Sequence, residues 1–185
     1  MSQIIIGLTG PNASGKGEVK KYLEKKCQAV SFKFSDILRD ILQRLYVTIN
    51  RENLQDLSTD LRKRFGNDVL AKTIAQDAIN SSEKIIVIDG VRRLDDIKYL
   101  LPLNNFKLIS VDADAHLRYE RLKLRNENEG DKNKTLEQFM LEEQKEAEKE
   151  IPKVMATAHF QLDNNQDLSS LHKQINLILD NLIKN

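Results

Sequence analysis

Gly10, Gly15 and Lys16 stand at the spacing G-x-x-x-x-G-K, and residues of these types at this spacing can bind phosphate. The apolar run Ile4, Ile5, Ile6 precedes them and the Lys-rich, amphipathic segment through Leu23 follows, which is the order strand, glycine loop, helix. In that context Gly10, Pro11, Asn12, Ala13, Ser14, Gly15, Lys16, Gly17 and Glu18 form one candidate site for the phosphates of ATP. The glycines let backbone N–H groups converge on a phosphate oxygen, the helix N-terminus adds partial positive charge, and Lys16 reaches the outer phosphates. After the lysine, where such loops usually carry Ser or Thr to hold Mg²⁺, this chain has Gly17 and then Glu18. Magnesium is thereby denied its usual hydroxyl ligand, and the Glu18 carboxylate must point away from a bound phosphate.

Elements that alternate between strand and helix must position this loop. The stretch from Ala29 to Phe34 alternates and is rich in β-formers, so it reads as a second strand, with Ser35 as cap of the helix that follows. That helix carries Ile37, Leu38, Ile41, Leu42 and Leu45 on one stripe, leaving Asp36, Arg39 and Asp40 toward the other side. Arg51 to Ser81 reads as helices around the turn Phe65-Gly66-Asn67. Lys84 to Gly90 is a continuous apolar run ending in Asp89-Gly90, which suits a strand buried on both faces of a parallel sheet. Ligands of such sheets bind beyond the carboxyl ends of strands, so Asp89 is the candidate acid for ordering the water around Mg²⁺.

Later in the chain, Phe106 to Ala113 reads as a strand. The helix after it sets Arg118, Arg121 and Arg125 at i, i+3 and i+7. Asn126 to Thr135 is polar throughout and reads as a mobile loop; Thr135 and Gln138 then form a capping-box pattern for a helix running through the charged tract EEQKEAEKE, taken as exposed. His159 to Asp163 is a weaker strand. Leu168, Leu171, Ile175, Ile178, Leu179 and Leu182 mark the core side of a final helix. Five strands alternating with helices imply a three-layer α/β fold, a mostly parallel sheet covered on both faces.

The 185 residues suit a single domain spanning 1–185, and the hydrophobic content of 40% supports a substantial core. Lys and Arg number 29 against 28 Asp and Glu, a formal net charge of +1, which makes no case for a nucleic-acid partner. Cys27 alone cannot build a disulfide framework, and three histidines without ligand spacing build no zinc site. With no apolar run of about 20 residues, a membrane span is not expected, and the default expectation is a cytoplasmic protein.

Beyond the loop, Ser35 to Arg39 (SDILR) resembles the G-D-x-L-R stretch of adenylate kinases, and Ile88 to Arg93 (IDGVRR) resembles their D-G-F-P-R. The triplet Gly15-Lys16-Gly17 resembles their loop, whose next residue is usually Thr, whereas here it is Glu18. The chain thus resembles the P-loop nucleoside monophosphate kinases. The stretches RENLQDLSTDLRKRFGNDVLAK and VIDGVRR resemble a smaller group of archaeal and bacterial P-loop proteins described as adenylate-kinase-like or dephospho-CoA-kinase-like. The resemblance implies a P-loop kinase fold with an acceptor-binding helical region at 35–82 and a lid loop at 126–135. It implies ATP and Mg²⁺ as cofactors, small nucleotides as substrates, and a monomer or homodimer. Arg39 and Arg93 inherit the role of binding the acceptor phosphate, with Arg92 where the family has proline; Arg121 and Arg125 match arginines that clamp the transferring phosphoryl group. Three readings stay open: a nucleoside monophosphate kinase, a dephospho-CoA kinase with Asp36 as base, and a nucleotide-binding regulatory module.

Overall fold

The computed structural model describes residues 3–125, 131–142 and 149–184. Its frame is a five-stranded sheet of order β2-β3-β1-β4-β5, built from β1 (Ile4–Thr9), β2 (Val30–Lys33), β3 (Ile85–Val91), β4 (Phe106–Asp112) and β5 (Phe160–Asp163). Every pairing is parallel, so the expected mostly parallel sheet is wholly so. Strand β1 is the centre: Ile5 pairs with Ile86 on one side and with Phe106 on the other. From β1 the chain crosses to the edge strand β2, returns inward to β3, and then crosses β1 to β4 and on to β5, so the strand order reverses at β1, the place where parallel sheets of this kind bind ligands at their carboxyl ends.

The pleat of β1 divides the core. Ile4, Ile6 and Leu8 pack with Val19 and Leu23 of α1 (Lys16–Cys27) and with Leu171, Ile175 and Ile178 of α9 (Leu168–Lys184). Ile5 faces the other way, toward Ile74 and Ala78 of α4 (Val69–Asn80), Ile97 of α5 (Leu94–Ile97) and Val154 of α8 (Ile151–Met155). Burial on both faces is what makes β1 and the first four residues of β3 unbroken apolar runs. Between β2 and β3 the chain forms α2 (Phe34–Arg44), α3 (Arg51–Phe65) and α4, matching the helical reading of that region, with Gly66 ending α3.

Several local expectations change. Helix α2 starts at Phe34, one residue before Ser35, because the Asp36 carboxylate accepts from the Lys33 N–H at 3.2 Å and so takes the capping role. Leu45 leaves the apolar stripe at the end of that helix and is exposed, as is Leu168 at the start of α9, since at a helix end no neighbouring element covers the side chain. The Thr135 and Gln138 pattern holds: each side chain accepts from the other's backbone N–H, at 2.9 and 3.2 Å. The helix it starts, α7 (Leu136–Glu142), buries Phe139 against α6 (Ala115–Arg125) rather than lying wholly exposed. Most of the charged tract after it, 143–148, lies outside the described residues, as does the first half of the expected lid, 126–130. The lid's other half holds a short 3-10 turn, Asp131–Asn133, and is tied to α6 by Tyr119 OH donating to Lys134 O at 2.9 Å.

Candidate functional site

Gly10 to Gly15 join the buried end of β1 to the first turn of α1. Two glycines are demanded by space as well as conformation. Gly10 has φ +144 and a Cβ there would lie 2.1 Å from the Val111 carbonyl oxygen; Gly15 has φ +107 and its Cβ would lie 2.1 Å from Asn164 Nδ2. Ala13 also takes a left-handed conformation, φ 59. Lys16 folds back over the loop, its Nζ donating to Gly10 O at 2.6 Å and Pro11 O at 2.8 Å. Ser14 is fully buried, and its hydroxyl oxygen, like that of Thr9 beneath it in β1, has no hydrogen-bond partner among the described residues. An orphaned hydroxyl inside a glycine loop suits a ligand oxygen, so the residues present fit a nucleotide phosphate.

Gly17 is different: a Cβ there would meet nothing within 4 Å and no positive φ is recorded for it. Loop geometry does not require a glycine at this position. Glu18 lies in the first turn of α1, where acidic charge favours the helix dipole, and its N–H donates to Gly15 O at 2.9 Å. Asp89 is level with Leu8 in the β1–β3 register and lies beside α1, its Oδ2 3.6 Å from Lys20 Nζ. No group of three or more His, Cys, Asp or Glu among the described residues is placed to hold a metal ion. Asp89 is an acidic side chain on the strand beside β1, of the kind that suits the water around Mg²⁺.

The arginines separate. Arg92 and Arg93 follow β3, and the buried Asp96 holds their backbone: its Oδ2 accepts from the backbone N–H of Arg92 at 2.9 Å and of Arg93 at 3.0 Å. Burial raises the Asp96 carboxyl above its ordinary value, opposed by those two N–H groups and by the charges of Arg62 and Arg93. The Arg62 guanidinium of α3 is lowered, by burial first and then by the charge of Arg93. Arg39 stands exposed on α2, and Asp36 one turn before it is partly engaged as the cap.

On α6, Arg118 is buried, its Nε donating to Ala113 O at 2.9 Å and its Nη1 to Asn12 O of the loop at 3.4 Å, with Phe139 against its guanidinium at 5.5 Å. Arg121 Nη2 donates to Asn164 O at 2.9 Å while its Nη1 is buried without a partner among the described residues, and burial lowers its guanidinium. Arg125 is exposed at the helix end. The structure thus adds two residues near the loop that the sequence reading had not placed there. The i, i+3 spacing pointed to Arg118; Asn164 had no signal beyond following the last strand.

A strand, glycine loop and helix at the centre of a parallel sheet, with the loop's two glycines sterically required, define a P-loop nucleotide-binding protein of the kinase-like fold. A family model described as AAA domain matches residues 6–151. A UPF0200 protein of Sulfurisphaera tokodaii is 31% identical over 180 residues, 97% of each chain, and one of Thermococcus kodakarensis is 29% identical over 185 residues, 97% of this chain and 98% of that one. The chain belongs to that AAA-domain family and to the UPF0200 proteins. In fold it is similar to shikimate kinase from Bacteroides thetaiotaomicron, with a TM-score of 0.65 at 13% identity over 97% of this chain and 98% of that one. An uncharacterized protein from Eubacterium ventriosum is similar too, with a TM-score of 0.61 at 12% identity over 99% and 100%. No described helix is long and apolar enough to cross a membrane.

Proposed function

We propose that this protein is an ATP-dependent phosphotransferase that moves the γ-phosphoryl of ATP to a small phosphorylated acceptor, a nucleoside or deoxynucleoside monophosphate. The observation that carries the reading is the juxtaposition of two charged arrays at one edge of the sheet. The loop with Lys16 follows β1, and the Arg92-Arg93 pair follows β3, the strand beside it. Phosphoryl transfer needs little covalent help; it needs positive groups around donor and acceptor and exclusion of water.

In this reading the loop N–H groups and Lys16 bind the ATP phosphates, and Lys16 leaves the Gly10 and Pro11 carbonyls to do so. Arg39, Arg92 and Arg93 hold the acceptor phosphate, whose oxygen attacks the γ-phosphorus while the bridging oxygen leaves on ADP. Arg121, with one buried N–H pair unpartnered among the described residues, and Arg125 carry the charge of the transferring group. Asp89 would order the water around a Mg²⁺ bound with the nucleotide, and that ion would supply neutralisation of phosphate charge.

A screen of ATP consumption against nucleoside and deoxynucleoside monophosphates and dephospho-CoA tests this. Turnover with a monophosphate is expected. Turnover with dephospho-CoA alone would replace the reading with the hydroxyl-acceptor kinase, for which Asp36 is the base. ATP bound without turnover of any acceptor would replace it with the regulatory module.

A further inference from the structure

We infer that Asn164, in the turn after β5, is the positioning residue that orients the phosphate loop and joins it to Arg121. The inference rests on the loop being an ATP site. Asn164 is 4% exposed and is bonded through three groups. Its backbone N–H donates to Asp112 O at the end of β4 at 2.8 Å, its carbonyl accepts from Arg121 Nη2 at 2.9 Å, and its Nδ2 donates to Ser14 O at 2.8 Å. The last bond spans 150 residues of sequence.

Its effect on the loop follows from peptide geometry. No peptide among the described residues is cis, and a trans peptide carries its C=O and N–H on opposite edges. Holding Ser14 O on the Asn164 side turns the Gly15 N–H away, toward the concave side of the loop where a phosphate oxygen needs a donor. Arg118 holds Asn12 O from outside in the same manner, which turns the Ala13 N–H the same way. The glycine at 15 is then explained twice, by its φ and by the Asn164 amide standing where its Cβ would be. Because the same residue accepts from Arg121, the loop and the α6 cation share one mount. A shift of the turn after β5 therefore moves both.

The test is isothermal titration of the full chain with MgATP, beside the melting temperature of each variant without ligand. Asn164→Ala leaves the buried Ser14 carbonyl without its donor, and Asn164→Asp keeps the volume but sets a carboxylate oxygen against it. Each should weaken MgATP about tenfold or more, the Asp variant more strongly because it also brings negative charge to the loop. Asn165→Ala is the control on the same turn: it removes the bond from the Asp114 N–H and the bond to the Asp163 carboxylate, and should leave MgATP affinity within about twofold, as expected for exposed contacts away from the loop. If Asn164→Ala proves unfolded by circular dichroism, Asn164→Asp carries the comparison. Wild-type affinity in both Asn164 variants, with only a lowered melting temperature, would make Asn164 a structural residue and overturn the inference while the ATP site stands. No binding of MgATP by the wild type would overturn the site itself.

Discussion

Alanine at Gly10 and at Gly17 makes a paired perturbation inside one loop whose outcomes the structure sets apart. At Gly10 the new methyl lies 2.1 Å from a backbone oxygen of β4, an interior strand that cannot move aside as a side chain could, and the residue must keep φ +144. Overpacking of a close-packed interior costs about 1 to 3 kcal/mol and a poorly populated backbone conformation about 1 to 3 more, together about 2 to 6 kcal/mol. Against a total stability of about 5 to 15 kcal/mol, that takes a large share of the fold's reserve. At Gly17 the methyl meets open space in the first turn of α1, so Gly17→Ala should be neutral or stabilise by about 0.4 to 1 kcal/mol through the unfolded chain. Urea unfolding of both variants, followed by far-UV circular dichroism, reads the difference as opposite shifts of the midpoint at unchanged slope. Equal shifts, or a Gly10→Ala variant as stable as wild type, would refute the reasoning that steric demand separates the two glycines.

Lys16→Ala should lower turnover about a hundredfold to a thousandfold, the loss of one charge-assisted phosphate contact, with the fold intact by circular dichroism. Arg39→Ala and Arg93→Ala should weaken use of the acceptor about tenfold to a hundredfold while sparing ATP affinity, measured as separate KM values. Asp36→Asn should slow a monophosphate acceptor only modestly, whereas a hydroxyl acceptor would lose about a hundredfold or more. Acid should destabilise the fold through His159, whose Nδ1 accepts from the Leu108 N–H at 2.9 Å, and whose ring is held below its ordinary value by burial and by Lys107. The unfolded chain takes up that proton first, so stability should fall as pH drops below about 6.5 and level off below the folded value. Melting scans of His159→Asn, which keeps an acceptor but does not titrate, should show a shallower fall.

Much of the architecture was legible in the chain because its signals are local. The apolar runs of β1 and β3, the glycine spacing, and the Thr135–Gln138 box each lie within a few residues of themselves, and each formed as its pattern indicates. Even the capping of α2 was a contest between neighbours, won by Asp36 over Ser35 because the carboxylate reaches the Lys33 N–H. What the sequence by itself determined, then, was the strand, loop and helix at the N-terminus, the alternation that makes a parallel sheet, and the candidate phosphate site. What the tertiary structure alone decided was which distant groups meet that site. Arg118, Arg121 and Arg125 share one helical spacing, yet the first reaches Asn12, the second Asn164, and the third stays exposed, since each depends on what packs against that turn of α6. Asn164 meets Ser14 only because β5 is laid parallel beside β4, whose neighbour β1 ends in the loop, so that the carboxyl ends of all three lie at the same edge. Periodicity records which way a side chain faces its own element; the partner it finds there is set by sheet order, which no short stretch of sequence encodes.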